Sequence, residues 1–396
     1  MKIGILTFHS QTNYGGVLQC WALRQALISL GHDVVVIDRW MHPTRKNLDG
    51  PFGHAGIIDW IRILLQAFFG CRNFQHIKRQ LKTKRFVDSI GLTPYHFYDW
   101  KDAPKDLGVD CIVVGSDQIW HGGDWGYPDP NPYLLIGAPK IKAIAYAASF
   151  GMKTLPPEYD YRFGFSKFCA ISVREADGVD LVKSAGYNNP VAHVVDPSLL
   201  ISKDVWNALV RKSNHNKVRC KKLVCYFLAV DSDYVRFKIN QWAEKNDYKV
   251  EILIRSCVRP FPKSIRQCLS RIKQIYIDMF CCRAVNCACD YGPKEFVDAF
   301  AHADACVTDS FHAIMFSSIF NVNCRFIMPE QESRKRMFAR VQEFARTTVN
   351  GNMIVNSLDE ALFSIANEEN IGFKNDIIEE RRNFSLKWLS SSLQGE

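Results

Sequence analysis

The chain has 396 residues, 47% of them apolar and 12% aromatic, too long for one ordinary core and too apolar for disorder, so two folded domains are expected. Fifty basic residues against 41 acidic ones leave a net charge of +9; this suits an acidic substrate or an anionic surface, but no nucleic-acid motif accompanies it. No apolar run reaches the ~20 residues that span a bilayer, and Lys2 to Phe8 reads as a strand rather than a secretion signal, so a cytoplasmic protein is expected.

In chain order, Lys2 to Phe8 is a strand, His9 to Gly16 a polar loop, Val17 to Leu30 a helix closed by Gly31, and Asp33 to Asp38 a second strand. This unit is of the doubly wound kind, and a glycine-bearing loop at its strand end can approach a ligand closely. The loop lacks the spaced glycines of a dinucleotide fingerprint, so Asn13, Tyr14, Gly15 and Gly16 are candidate contacts to some other ligand, or simply a tight turn. Gly56 to Gly70 is a strongly apolar helix, and Cys71 to Phe86, CRNFQHIKRQLKTKRF, follows it without one acid. The pair suggests either contact with a membrane surface across 56–90 or a packed hairpin with a solvated basic face.

Four buried strands come next: Val109 to Gly115, Lys142 to Ala148, Ala170 to Val173 and Val191 to Val195. Each ends in polar residues, namely Ser116, Asp117 and Gln118, then Ser149, then Arg174, then Asp196. Open α/β sheets bind ligands beyond such carboxyl ends, and the recurrence is more specific than any single instance. Ile201 to Lys222 turns polar and basic and reads as a linker. A second α/β series follows, with strands at Leu223 to Ala229, Val250 to Arg255 and Asn323 to Met328, and helices at Asp231 to Lys245, Gly292 to His302 and Ser333 to Ala345. The expected units are 1–205, 206–356 and a tail, 357–396. The tail helix, Phe373 to Leu393, carries Ile377, Phe384, Trp388 and Leu389 on its apolar positions and is expected to cross back to the first unit.

Most of the 14 cysteines sit in apolar patterns, as do Cys111, Cys169, Cys225 and Cys306, and read as buried free thiols. Cys268, Cys281, Cys282, Cys287 and Cys289 cluster more tightly, but their spacing is not that of a zinc or iron–sulfur site, and no metal is expected.

The chemical centre is Ala303 to Phe320, ADACVTDSFHAIMFSSIF: a strand, a tight polar turn and a helix. Thr308, Asp309 and Ser310 offer capping side chains, and His312 lies in the first turn, where a helix N-terminus favours an anion. Arg174 has the planar fork that grips carboxylate or phosphate. A cleft with Arg174 on one wall and His312 on the other is expected. The blander readings, a surface pair of Arg174 with Glu175 or Asp177 and a merely capping His312, stay open on the sequence alone.

The runs YGGVLQCWALRQAL, VVGSDQIW, AYAASFG, ISVREADGVDLV, VVDPSLL and VTDSFHAIMFSSIF, kept in order from Lys2 to about Ala345, resemble the polysaccharide pyruvyl transferase family. The resemblance implies an α/β, GT-B-like fold, two Rossmann-like domains facing each other across a cleft. It also implies transfer of the pyruvyl group of phosphoenolpyruvate to a hydroxyl pair of a surface polysaccharide or its lipid-linked repeat unit, giving a pyruvate ketal and phosphate. Phosphoenolpyruvate is then the donor substrate and no cofactor is implied. The family's donor residues fall on Arg174 and on Ser310, Phe311 and His312, with Ser310 standing where the family has arginine. Arg334, Arg336 or Arg255 are candidates to restore that charge. In this scheme His312 is the proton donor, Asp117 or Asp309 the base, and Asn13, Tyr14, Gly15, Gly16, Ser116, Gln118 and Ser149 form the acceptor side. The implied partners are the donor, a sugar that is lipid-linked or free, and the inner membrane face, but no nucleic acid. A nucleotide-sugar glycosyltransferase on the same fold, an iron–sulfur redox protein and a non-catalytic sugar- or membrane-binding module compete with it.

Overall fold

The structure is a computed structural model, described here for residues 1–9, 13–39, 71–121, 131–152, 154–155, 159–210, 220–228, 233–254, 284–329 and 338–395. The first half alternates β1 (Lys2–Leu6), α1 (Tyr14–Ser29), β2 (Asp33–Arg39), α2 (Cys71–Asp88), β3 (Leu92–Phe97), β4 (Cys111–Val114), β5 (Lys142–Ala148), α3 (Tyr161–Phe165), β6 (Ala170–Val173), α4 (Ala176–Ser184) and β7 (Val191–His193). Short apolar runs such as KIGIL and CIVV are buried almost throughout, as a parallel sheet covered on both faces requires. The seven strands are parallel in the order β3-β2-β1-β4-β5-β6-β7, so the winding reverses between β1 and β4.

After α5 (Lys203–Val210), the second half runs β8 (Lys221–Phe227), α6 (Asp233–Asn246), β9 (Tyr248–Ile254), β10 (Val285–Ala288), α7 (Pro293–Ala301), β11 (Ala305–Thr308), α8 (Phe311–Phe320) and β12 (Asn323–Ile327). It closes with α9 (Phe338–Thr348), β13 (Val349–Asn350), β14 (Ile354–Val355), α10 (Leu358–Ala366), β15 (Gly372–Phe373) and the tail helix α11 (Asn375–Gln394). Its sheet is also parallel, β10-β9-β8-β11-β12-β14, and reverses between β8 and β11. Both reversal points are the places where doubly wound sheets open toward ligands.

The two halves share one core. Trp206 of α5 is fully buried, with ring centroids 5.0 Å from Trp21 of α1 and 4.9 Å from Phe316 of α8. Tyr14 stacks at 4.6 Å on Phe296 of α7 and donates its hydroxyl to the Tyr291 carbonyl at 2.8 Å. The expected linker over Ile201 to Lys222 is therefore corrected: its first part is a helix whose tryptophan pins both halves together. The acid-free segment also differs from a solvated basic face. Arg79 of α2 is fully buried with its guanidinium 4.4 Å from the Tyr14 ring, and Lys82 pairs with Asp290 and Glu295 across the halves. The apolar helix expected over 56–70 lies outside the described residues.

The tail helix crosses back as expected. Ser385 Oγ accepts the Val195 N–H at 3.1 Å, Lys142 Nζ donates to the Leu393 carbonyl at 2.6 Å, and Trp388 faces Tyr146. Its buried stripe is Ile378, Ser385, Leu389 and Leu393; of the expected positions Leu389 is buried and Trp388 packs on the core, whereas Phe384, next to Ser385, lies about 100° round the helix and is 53% exposed. Cys169 is likewise exposed, not buried, because it sits one residue before β6. No described helix is long and apolar enough to cross a membrane.

Candidate functional site

The strand ends of the first sheet build one polar cluster. Asp117, directly after the β4 turn, adopts φ 71°, a left-handed conformation that short polar residues tolerate. Its carbonyl takes the Ser149 and Ile119 N–H groups, and its own Oδ1 takes the Gln118 N–H at 2.9 Å. Gly115 before it has φ 117°, and a Cβ there would lie 2.2 Å from the Tyr146 carbonyl oxygen, so only glycine fits. Ser116 is buried, bonded to Gln19 Oε1, the Thr7 hydroxyl and the Ala147 carbonyl, and Ser149 Oγ donates to Glu175 Oε1 at 2.6 Å.

Arg174 leaves the end of β6 into this cluster. NH1 donates to Asp196 Oδ2 at 2.7 Å, Nε faces Glu175 Oε1 at 3.4 Å, and NH2 lies 3.9 Å from Asp117 Oδ1. Burial alone would discourage its charge, but Glu175, Asp196 and Asp117 outweigh that and hold it protonated. Asp196 is fixed in turn: Oδ1 accepts the Ser198 N–H at 2.9 Å and hydroxyl at 2.7 Å. Burial would raise its pKa, yet Arg174, His312 and Ser198 keep it below the usual carboxylate range.

The second half contributes the turn between β11 and α8. Ser310 is the N-cap by position, but its side chain makes no capping bond; its N–H instead donates to Thr308 Oγ1 at 3.0 Å. Asp309 Oδ1 accepts the Leu228 N–H at 2.5 Å, tying the turn to the end of β8. His312 projects into the first half, with Nε2 3.9 Å from Asp196 Oδ2. Its other edge lies flat against α1, where a Cβ on Gly15 would stand 2.2 Å from Nδ1. Gly16 similarly backs Asp117, with 3.2 Å from an added Cβ to Oδ2. Burial lowers the His312 pKa, against an upward pull from Asp196 and Asp117, so the imidazole is neutral near pH 7.

Two buried nitrogens stand out. Arg174 NH2 and His312 Nε2 have no hydrogen-bond partner among the described residues; the guanidinium reaches Asp196 Oδ2 through NH1, and His312 Nε2 lies 3.9 Å from the same oxygen. Buried polar atoms left unsatisfied are rare and call for an explanation. Phe311 fills the space beside them, with the Arg174 guanidinium 5.2 Å and that of Arg340 4.8 Å from its ring centre.

The structure thus brings together Arg174, His312, Phe311, Asp117, Ser149 and the two glycines of α1. It places Asp309 in a backbone tether and Ser310 in a turn. Asn13 is the α1 cap, accepting from the Gly15 N–H at 3.2 Å, and Tyr14 is core packing between the halves rather than an acceptor contact. A Cβ on Gly151 would meet Gln118 Nε2 at 2.2 Å, so Gln118 packs on that turn. Arg255, Arg334 and Arg336 lie outside the described residues, as do Cys268, Cys281 and Cys282; no metal-holding group occurs among the described residues. Sequence reasoning missed Arg340, Glu343 and Arg381, which sit on helices whose charges look like ordinary solvated faces, and His193, the last residue of β7.

Two parallel-sheet domains with a polar cluster at their junction define a GT-B-type enzyme fold. The chain is similar to the UDP-GlcNAc 2-epimerase of Neisseria meningitidis, solved bound to UDP-GlcNAc, with 10% identity, all of both chains covered and a TM-score of 0.54. It is also similar to a putative UDP-N-acetylglucosamine 2-epimerase from Listeria monocytogenes, with 10% identity, 99% and 95% of the two chains covered and a TM-score of 0.53. At that identity the likeness is one of fold. No curated protein sequence matches the chain. The model of the polysaccharide pyruvyl transferase family matches residues 13–330; the chain belongs to this family and is a transferase of that kind.

Proposed function

We propose that the protein moves the pyruvyl group of phosphoenolpyruvate onto two hydroxyls of a polysaccharide sugar, or of its lipid-linked repeat unit, forming a cyclic ketal. The observation that carries this reading is the pair of unsatisfied buried nitrogens, one from each half, at Arg174 and His312. A donor with a carboxylate and a phosphate satisfies a guanidinium N–H and, through its charge, raises the proton affinity of the neighbouring imidazole. His312 is neutral in the free protein and takes up its proton as the multiply anionic donor binds.

The steps then balance. His312 gives its proton to C3 of the donor, C2 becomes electrophilic, and one sugar hydroxyl adds there as Asp117 accepts its proton. The C2–O bond to phosphate breaks, the second hydroxyl adds, and its proton leaves with phosphate or solvent. General acid–base assistance of this sort is worth ~10²–10⁴-fold. Membrane-surface contact through 56–90 would bring the enzyme to a lipid-linked acceptor.

The test is incubation with phosphoenolpyruvate and a panel of free and lipid-linked glycosides. Phosphate release and a pyruvate-sized mass gain on the sugar are expected together, with nucleotide sugars inert. Release of a nucleotide from a nucleotide sugar, without use of phosphoenolpyruvate, would overturn the reading.

A further inference from the structure

Beside Phe311 lies a small cavity where both halves and the tail helix meet. Arg174 lines it from the end of β6, Arg340 from α9 and Arg381 from α11. Residues 340 and 381 fall beyond the family-matched segment, which ends at 330, so nothing in the family match assigns them a role. From this convergence we infer that the cavity seats a carboxylate-sized oxyanion, the donor's carboxylate, gripped by three guanidinium groups from three separate segments. The inference rests on the proposed donor for the identity of its occupant and on the cavity itself for its chemistry.

The charges support it. Three guanidinium groups line the cavity against two carboxylates, Asp196 and Glu343. Asp196 is already committed to Arg174 and Ser198. Glu343 Oε2 faces the Ala176 N–H at 3.4 Å, and Oε1 lies 3.6 Å from His193 Nε2. His193 adds no charge near pH 7, since burial lowers its pKa despite Glu343. Outside the lining, Glu175 Oε1 lies 3.4 Å from Arg174 Nε and 3.7 Å from Arg340 NH1, so this one carboxylate faces both arginines. With Asp117 3.9 Å from Arg174 NH2, four carboxylates surround the three guanidinium groups, and Arg381 is the arginine of the three with no carboxylate partner among the described residues. Burial and the nearby charge of Arg174 pull the Arg340 pKa down to about 10, the signature of cations crowded in a dry site that an anion would relieve.

Geometry and size narrow the occupant. His193 Nε2 lies 3.2 Å from Arg381 NH2 and 3.1 Å from the Arg174 carbonyl, and bonds one of them at a time, accepting from the guanidinium or donating to the carbonyl according to its tautomer. Arg174, whose buried NH2 has no hydrogen-bond partner among the described residues, is one of the lining residues. The cavity measures about 30 Å³; at ~10–15 Å³ for each water-sized group, that is room for the two oxygens of a carboxylate. The tail helix is thereby part of the binding site and not only a strap across the first half.

Calorimetric titration of the full-length protein with pyruvate, and separately with inorganic phosphate, tests the seat. Pyruvate is expected to bind the wild type, and R340Q and R381Q each to weaken it by ~10- to 100-fold, the range for a hydrogen bond to a charged partner. R381K, which keeps the charge and the apolar stem, is expected to retain more affinity than R381Q. E343Q removes a negative wall and is expected to tighten binding, which a merely structural contact would not do. Unchanged pyruvate affinity in R340Q and R381Q, weaker binding in E343Q, or binding of phosphate but not of pyruvate would each overturn the inference. If no sugar is pyruvylated yet the titrations follow this order, the seat stands and the donor reading falls. If sugars are pyruvylated while R340Q and R381Q leave the KM for phosphoenolpyruvate unchanged, the seat alone falls.

Discussion

Gly15→Ala isolates the contact on which the site depends, the seat of His312 against α1. An added Cβ would lie 2.2 Å from Nδ1, 2.4 Å from Cγ and 2.6 Å from Cε1, so it meets the ring itself and not a flexible tip. Ordinary contact begins at 3.4 Å, so the imidazole or the whole helix must retreat by about 1.2 Å, the difference between 2.2 and 3.4. The local backbone favours the substitution, because alanine in a helix is worth ~0.5–1 kcal/mol over glycine. Against that stands an overpacking cost of ~1–3 kcal/mol, so net stability falls by at most about 2.5 kcal/mol. Activity is the sharper readout, since a 1 Å misplacement of a reacting group costs ~10²-fold. Gly16→Ala provides the graded comparison: its Cβ would stand 3.2 Å from Asp117 Oδ2, a distance relieved by a few tenths of an ångström. Phosphate release from phosphoenolpyruvate with an acceptor, measured beside urea midpoints, should fall about 10²-fold in Gly15→Ala, with a far smaller loss in Gly16→Ala. A Gly15→Ala enzyme of wild-type rate, with the His312 proton resonances unmoved, would refute the placement of the imidazole.

Other outcomes follow from the same geometry. Asp196→Asn removes the carboxylate bonded to buried Arg174 and should cost about 3 kcal/mol in urea denaturation; a loss below about 0.5 kcal/mol would show the pair to be slack. Trp206→Ala should cost ~3–5 kcal/mol, because the ring is fully buried between Trp21 and Phe316, whereas a linker residue would cost little. Buried His312 and half-buried His193 both have lowered pKa values, so the unfolded chain binds more protons than the folded one as pH falls through 6.5. Stability is therefore full above that pH and is lost below it, by at most about 1.4 kcal/mol per pH unit for each histidine. Urea midpoints between pH 5.5 and 7.5 should show that slope, and His312→Gln should flatten it.

Much of the fold was legible because its strands are short apolar runs with polar ends, a pattern that parallel sheets impose locally. The convergence of Arg174 with His312 was legible too, since both lie just past strand ends where doubly wound sheets place ligands. Other features depend on tertiary position, which local pattern does not encode. Arg79 in the basic segment reads as solvent-facing, yet Tyr14 and the second half cover it. Arg340 and Arg381 carry no local sign that their helices turn them toward a cavity. Tyr14 beside two glycines looks like a ligand loop, but only its glycines face the cluster while the ring packs between the halves. Leu92–Phe97, an edge strand with alternating burial, gave too weak an apolar run to be read as a strand.

The central claim is that the junction of Arg174 and His312 is where phosphoenolpyruvate reacts. Its most direct test is phosphate release in a single turnover, with donor and sugar acceptor, by wild type and His312→Ala. Release coupled to sugar modification is expected in the wild type, and a ~10²–10⁴-fold slower rate in the variant. A His312→Ala enzyme that releases phosphate at the wild-type rate would contradict it.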